Sequence, residues 1–316
     1  MIRLGTRASA LALAQARSVA ERLPGEVSLV EITTSGDRGS RDDKSRFVKE
    51  IEEALLAGSV DLAVHSAKDV PGELLEGLSI VGVPARADPL DALCGADSLD
   101  SLGEGAVVGT SSVRRRAQLL AWRPDLSVRE LRGNVDTRLR RLAEGAFDAI
   151  VLARAGLIRL GREKEGAPLP DLVPAPGQGC LVLEARSDDE AAREAAATLT
   201  DPDALAALTA ERALVTALQA TCNTPIGAWA RREDAAVPGD AAPREGGPHE
   251  DGALRLTAFV GLPDGSHWIR DELDGGAGDP VALGREVARR LEGAGARDLL
   301  AEAERAASRT SGSSAR

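Results

Sequence analysis

The densest chemical signal in the sequence is a run of hydroxyl and arginine side chains, Gly109-Thr110-Ser111-Ser112-Val113-Arg114-Arg115-Arg116. It follows two valines that are typical of a strand end and turns into a helical pattern. The unpaired N–H groups and the positive dipole end of a helix N-terminus favour a bound anion. Between residues 110 and 141 the sequence has nine arginines and three acidic residues, a local charge of +6.

A second arginine group follows, in which Arg132-Gly133-Asn134 precedes another helix start and Arg138 lies one turn inside that helix. Guanidinium groups pair with carboxylates through two parallel hydrogen bonds, a geometry that lysine does not offer. The clustering at two helix starts predicts a cleft that binds several carboxylates. The alternative is that these arginines form a solvated helix face.

The segment His65-Ser66-Ala67-Lys68-Asp69-Val70-Pro71 comes directly after a predicted strand. In open α/β sheets the carboxyl ends of parallel strands face the ligand crevice. A carboxylate there, beside a lysine, is suited to acid–base work or to holding a developing cation. The alternative makes Asp69 a turn or cap residue, Lys68 its surface partner and His65 a packed core histidine.

Cys222 lies in the segment Ala220-Thr221-Cys222-Asn223-Thr224-Pro225-Ile226-Gly227, between a long helix and a Pro-Gly turn. The three cysteines, Cys94, Cys180 and Cys222, are odd in number and far apart, so neither a disulfide scaffold nor a zinc site is indicated. Cys222 is therefore either an accessible loop thiol with a role or a loop cysteine of no consequence.

Strands and helices alternate along the chain and must position these side chains. Apolar runs predict strands at 2–4, 29–32, 62–65, 78–83, 107–108, 127–131, 149–152 and 181–183, with a hairpin at 254–260 and 267–273. This alternation favours parallel sheets flanked by helices, in two similar α/β domains. Residues 231–252 are polar and rich in Pro and Gly, which predicts a surface loop.

Composition excludes several classes of function. The 316 residues carry a net charge of −11, with 2% aromatic residues and no Tyr, which disfavours nucleic-acid and acidic-membrane binding. The start at Met1–Gly5 lacks signal-peptide features, and no apolar run approaches a membrane span, so a cytoplasmic protein is expected. Phosphate-binding P-loop, GxGxxG, GxSxG and HExxH signatures are missing as well.

Together these segments resemble the porphobilinogen deaminase (hydroxymethylbilane synthase) family. The resemblance runs through Ile2 to Ser9, Phe47 to Glu50, His65 to Pro71, Gly109 to Arg115, Leu131 to Arg138, Pro176 to Gly179 and Cys222 to Gly227. It implies an enzyme that condenses four porphobilinogen molecules with loss of ammonia and releases hydroxymethylbilane by hydrolysis. It also implies a dipyrromethane cofactor joined through a thioether to one cysteine, at the position of Cys222, and no metal.

The resemblance assigns roles to the remaining site residues. The catalytic aspartate falls on Asp69. The residues that hold the cofactor fall on Lys68, Ser66, Thr110, Ser112, Arg114, Arg115 and Arg132. Those that bind substrate carboxylates fall on Arg7, Ser111, Arg138 and Arg159.

The implied fold is α/β with three domains, of which the first two resemble lobes of type II periplasmic binding proteins. The first domain would comprise residues 1–84 and 180–200, the second 86–176, and a small α/β domain carrying Cys222 would comprise 202–316. The site residues would line the cleft between the first two domains of a monomer. Three features depart from the family pattern. The loop at 35–46 is shorter, with Asp43-Lys44-Ser45 in place of Gly-Lys-Gly, Cys180 stands in place of alanine, and the stretch at 231–252 is longer and more polar.

Two alternative functions, each from another class of protein, remain open. A solute-binding protein or regulator effector domain needs the arginine cleft but has no use for Cys222 or Asp69. An RNA-binding protein that uses residues 110–141 is opposed by the acidic net charge and the scarcity of aromatic residues.

Overall fold

The computed structural model describes residues 1–34, 48–220, 224–232 and 252–313, with side chains up to residue 306. These residues form two compact units. Unit 1 comprises Met1–Pro89, Ala155–Glu163 and Gly177–Leu205, and unit 2 comprises Leu90–Arg154, Lys164–Pro176 and Ala206–Arg316. None of the helices in the described ranges combines the length and the apolar character that a membrane span requires.

Unit 1 is built on a five-stranded sheet with the order β2-β1-β3-β10-β4. Its strands are β1 (Ile2–Arg7), β2 (Val27–Ile32), β3 (Leu62–Ser66), β4 (Leu78–Gly82) and β10 (Leu181–Arg186). Its helices are α1 (Ala10–Ala20), α2 (Lys49–Leu56), α6 (Glu190–Ala197) and most of α5 (Arg154–Arg159). The apolar side chains of β1, β3 and β10 fill the core, where Leu4, Leu62 and Leu183 are fully buried.

Unit 2 begins with a second five-stranded sheet of the order β7-β6-β8-β5-β9. The strands are β5 (Asp91–Cys94), β6 (Val107–Gly109), β7 (Ser127–Arg129), β8 (Ala149–Ala153) and β9 (Ala167–Leu169), and the helices are α3 (Val113–Trp122) and α4 (Val135–Ala143). Ser112 and Asn134 are the N-caps of α3 and α4, each accepting a hydrogen bond from a backbone N–H of the first turn. The two predicted helix starts are therefore confirmed.

The rest of unit 2 is a small antiparallel sheet, β11-β12-β13, packed against helices. Its elements are α7 (Pro202–Ala217, whose first residues belong to unit 1), β11 (Ile226–Arg232), β12 (Ala253–Gly261), β13 (Trp268–Gly276), α8 (Pro280–Gly293) and α9 (Ala296–Ser313). Trp122 at the end of α3 contacts Trp268 at the start of β13, with ring centroids 5.7 Å apart. Trp229 of β11 lies beneath the guanidinium group of Arg231.

The predicted α/β fold class, with two larger sheets and a smaller third one, is confirmed. The expected parallel pairing is confirmed for β1 with β2 and β3 and for β6 with β7 and β8. It does not hold for β10, which runs antiparallel to β3 and β4, or for β5, which runs antiparallel to β8 and β9. A parallel neighbour requires a crossover connection, usually a helix. Along the chain, β5 and β10 each follow a strand of the other sheet, so no crossover from a preceding strand of their own sheet sets their direction.

Three strands were not predicted, namely β5, β9 and β11. The loop expected at 231–252 is wrong at its start, since Arg231 and Arg232 belong to β11, whereas 233–251 lie outside the described residues. The loop at 35–46 lies outside them as well. The bounds of the three-domain division remain a prediction.

Candidate active site

The predicted acid–base segment forms a tight turn at the carboxyl end of β3. Ser66 is the last residue of the strand, and Ala67–Asp69 form one 3-10 turn in which Asp69 is half-buried. The ammonium group of Lys68 donates a hydrogen bond to Gln178 Oε1 at 3.3 Å. The structure thus holds Asp69 on a short turn whose neighbouring residue is anchored.

Two predicted arginines lie near this turn in unit 1. Arg7 is the last residue of β1, which pairs in parallel with β3, so Arg7 and Ser66 end neighbouring strands at the same edge of the sheet. Arg159 donates from Nη2 to the carbonyl oxygen of Gly179 at 2.7 Å. Burial lowers the pKa of Arg159 below its ordinary value. Because Lys68 contacts the residue before Gly179, the turn at 177–180 brings Lys68 and Arg159 together.

A buried ionisable cluster is formed by side chains of β3, β10 and α2. His65 Nε2 is 3.0 Å from Glu184 Oε2, and both side chains are almost completely buried. Glu52 of α2 is 4% exposed, and its pKa is raised to about 6, first by burial and then by the charge of Glu184. The core-histidine alternative for His65 is therefore confirmed. In the described part of the chain, no three His, Cys, Asp or Glu side chains are arranged to hold a metal ion.

The hydroxyl run lies between β6 and α3 and is tied to the backbone. Thr110 is buried, and its Oγ1 accepts a hydrogen bond from the N–H of Ser112 at 3.2 Å. The Oγ of Ser111 donates to the carbonyl of Leu131 at 2.5 Å, and the Oγ of Ser112 accepts from the N–H of Arg115 at 3.4 Å. These bonds fix the three hydroxyl residues at the positive end of the α3 dipole.

Arg114 and Arg115 are buried, with side chains only 4% and 6% exposed, and they share one carboxylate. Arg115 donates from Nε and Nη2 to Asp91 Oδ1 at 3.0 and 2.8 Å, and Nη1 of Arg114 lies 2.8 Å from Asp91 Oδ2. Two guanidinium groups and one carboxylate give this cluster a formal charge of +1. Burial lowers the pKa of Arg114, and the charge of Arg115 adds to that effect. One positive charge of the cluster is therefore not neutralised by the carboxylate within it.

The two arginines of the second group differ in their surroundings. Arg138 is half-buried and donates from Nε to the carbonyl of Gly133 at 2.7 Å. Its pKa is lowered to about 10, mainly by burial and further by the charge of Arg115, so it stays protonated at neutral pH. Arg132 is exposed and pairs with Glu130 at 2.6 Å. The solvated-face alternative therefore describes Arg132, but not Arg114 or Arg115.

One backbone segment connects α3 with the third sheet. The carbonyl of Val173 accepts from Arg114 Nη1 at 2.6 Å and from Gln118 Nε2 at 2.9 Å, while the N–H of Val173 donates to Gln118 Oε1 at 2.7 Å. The next carbonyl, that of Pro174, accepts from the N–H of Ala228 in β11. Cys222 lies outside the described residues, four positions before the start of β11.

Sequence reasoning missed the side chains that hold the predicted ones in place, namely Asp91, Gln118 and Gln178. Asp91 stands alone in the apolar run Leu90–Cys94, and such an isolated charge is a usable sign of a buried ion pair. Gln178 was part of a motif that carried the resemblance but received no role. Cys180 and Cys94 are both buried.

Comparison with known proteins identifies the family. Two protein-family models match this chain. Residues 2–194 match "Porphobilinogen deaminase, dipyromethane cofactor binding domain", and residues 205–293 match "Porphobilinogen deaminase, C-terminal domain". The porphobilinogen deaminase of Thermus thermophilus is 47% identical over 310 residues, which is 95% of this chain and 98% of the relative. That of Brevibacillus brevis is 43% identical, over 95% and 96% of the two chains. Among solved structures, a periplasmic substrate-binding protein of an ABC transporter from Coxiella burnetii matches 65% of this chain and 94% of its own, at 18% identity and a TM-score of 0.40. The family models and the two curated relatives show that the chain belongs to the porphobilinogen deaminase family, whose members polymerise porphobilinogen into hydroxymethylbilane.

Proposed function

We propose that this chain condenses four porphobilinogen molecules head to tail, with loss of four molecules of ammonia, and then releases hydroxymethylbilane by hydrolysis. The observation that carries the proposal, beyond the family, is the buried cluster of Arg114, Arg115 and Asp91 at the N-terminus of α3. Each porphobilinogen ring carries an acetate and a propionate. A buried site with surplus positive charge is suited to a ligand that carries several carboxylates.

The residues present fit a dipyrromethane cofactor. The Nε atom of Arg114 is buried and has no hydrogen-bond partner among the described residues, and a buried donor left without a partner costs free energy. A carboxylate at this point would supply the partner and balance the formal charge of +1. The residues proposed to hold the cofactor are Ser66, Lys68, Thr110, Ser112, Arg114, Arg115 and Arg132, with Cys222 as the thioether anchor.

When bound, the cofactor supplies a covalently held pyrrole to which substrate rings are added. The Cys222 sulfur serves as an anchor, so that the growing chain and the next substrate react as partners held in one site. The proposed binders of substrate carboxylates are Arg7, Ser111, Arg138 and Arg159. Arg138 is suited to this role because it is half-buried and remains charged, which strengthens its pairing with a carboxylate.

Asp69 is the proposed catalytic residue. The aminomethyl group of porphobilinogen leaves in its protonated form: as the C–N bond breaks, ammonia takes the electron pair and the positive charge passes from nitrogen to the pyrrole ring. The carboxylate of Asp69 would stabilise that charge and then accept the proton that a ring carbon loses when the new C–C bond forms. Its place on the Ala67–Asp69 turn, beside the anchored Lys68, favours a fixed position for the carboxylate.

We also propose that the enzyme works in the cytoplasm as a monomer and binds neither nucleic acid nor membranes. The net charge of −11 supports the absence of nucleic-acid binding. The three-domain division belongs to the same proposal. Size-exclusion chromatography with light scattering tests the monomer, since a mass twice that of the chain would contradict it.

Intact-mass measurement of the purified protein tests the proposed function. We expect an adduct the size of two pyrrole units on the native chain and on Cys180→Ser, and none on Cys222→Ser. Incubation with porphobilinogen should then add ring masses to the native chain. A native protein that weighs no more than its polypeptide and gives no colour with Ehrlich's reagent would contradict the proposal.

A further inference from the structure

We propose that Gln178 is a positioning residue for ring addition, acting through Lys68 on the turn that carries Asp69. This inference rests on the proposed function, which gives Lys68 and Asp69 their roles. Gln178 has no assigned role, although it is 1% exposed and its side-chain amide contacts two separate segments of unit 1.

The contacts of Gln178 fix the direction in which its amide points. Its Nε2 donates to the carbonyl of Pro89 at 2.8 Å, which leaves Oε1 to accept from Lys68 Nζ at 3.3 Å. Its own main-chain carbonyl accepts from Arg86 Nε at 2.9 Å. A flipped amide would put Oε1 against a carbonyl oxygen and an N–H group against an ammonium, so only one orientation satisfies both partners.

The backbone around Gln178 is held against the catalytic turn. The N–H of Ala67 donates to the carbonyl of Cys180 at 3.1 Å. Gly177 has a φ of +73°, and a Cβ at this position would lie 2.9 Å from the Cβ of Ala67. Since Arg159 also donates to the carbonyl of Gly179, the segment 177–180 is fixed on three sides. Gln178 is therefore held in place independently of Lys68, and its amide oxygen sets the position of the Lys68 ammonium group.

The type of residue matters as much as its position. An amide oxygen holds an ammonium group without adding negative charge, whereas a carboxylate would form an ion pair and reduce the attraction of Lys68 for ligand carboxylates. The other charged groups on the segments around Gln178 are Asp69, Arg86, Asp88 and Arg159. The structure thus assigns Gln178 two tasks, to orient Lys68 and to preserve its charge.

Two variants separate these tasks. Gln178→Met keeps the shape but loses the contact with Lys68, so we expect kcat for ring addition to fall ten- to a hundredfold with KM within about twofold. Gln178→Glu keeps an acceptor but neutralises the lysine, so we expect KM for porphobilinogen to rise about tenfold, the equivalent of one lost charge-assisted contact. Both variants lose the hydrogen bond to the carbonyl of Pro89, so the difference between them reports on Lys68. Thr200→Val, which removes a hydrogen bond to the N–H of Val83 elsewhere in unit 1, is the matched control and should leave both constants unchanged.

The measurement is quenched intact-mass spectrometry, which counts the rings bound per protein molecule after mixing with porphobilinogen, and the same spectra report the initial adduct. Thermal unfolding of each variant provides a second readout. The proposal is overturned if Gln178→Met adds rings at the native rate. It is also overturned if, in both variants, kcat falls and KM rises in proportion to the decrease in Tm. A native chain without any adduct would overturn the proposed function and this inference with it, whereas a loaded native chain with normal variants overturns the role of Gln178 alone.

Discussion

Replacing Asp91 by asparagine leaves two buried guanidinium groups without their shared carboxylate. Asp91 is fully buried and is approached by three nitrogen atoms of Arg114 and Arg115 at 2.8 to 3.0 Å. Removing one partner of a buried ion pair costs about 3–5 kcal/mol, because the remaining charge stays desolvated. Here two cations lose the same partner and repel each other, so we expect the upper half of that range. Such a loss is a large fraction of the roughly 5–15 kcal/mol that stabilises a typical domain.

Urea unfolding followed by circular dichroism measures this loss. With a slope of about 2 kcal/mol per M, the midpoint of the unit 2 transition should fall by roughly 2 M. Asp125→Asn is the matched control, since Asp125 also binds one arginine through two hydrogen bonds but on the surface. A midpoint for Asp91→Asn that shifts no further than that of Asp125→Asn would refute the reasoning.

Three further predictions concern single side chains. Asp69→Asn should keep the cofactor adduct yet nearly abolish turnover, as measured by intact mass and by the rate of hydroxymethylbilane formation; near-normal rates would remove Asp69 from the mechanism. The pKa of Glu52 is raised in the folded state to about 6 from 4.5, so its ionisation destabilises the fold as pH rises through this interval. Glu52→Gln should therefore be more stable than the native chain at pH 8, by up to about 2 kcal/mol, and equally stable at pH 4 in urea titrations; a difference independent of pH would contradict this. Gly227→Ala should lower the free energy of unfolding by about 1–3 kcal/mol, because its Cβ would lie 2.8 Å from the carbonyl oxygen of Val173. Gly293→Ala, which has open space around it, should leave the free energy of unfolding unchanged, and thermal melts of both variants measure the difference.

The sequence predicted those elements whose pattern is local. β8 is a continuous apolar run and β3 begins with one, and the N-caps Ser112 and Asn134 mark the two helix starts. β9 was missed because it is three residues long with Pro168 at its centre, and proline is unfavourable in a strand unless the strand lies at an edge, as β9 does.

The sequence indicated which residues belong to the candidate site, but not which side chains surround them. Arg114, Arg115 and Arg116 are consecutive, and only the packing of α3 decides that the first two are buried while Arg116 is exposed. Their partner Asp91 lies more than twenty positions earlier, in a strand that the sequence pattern did not indicate. Pairing over such a distance depends on sheet order, and sheet order is not contained in local periodicity.

The distribution of aromatic side chains has a practical consequence for studying folding. The three tryptophans, Trp122, Trp229 and Trp268, all belong to unit 2, and the chain contains no tyrosine. Intrinsic tryptophan emission therefore originates in unit 2 alone, and unit 1 has no tryptophan of its own. A tryptophan introduced into α1 would give unit 1 its own optical signal, so that the order in which the two units melt could be followed in one cuvette.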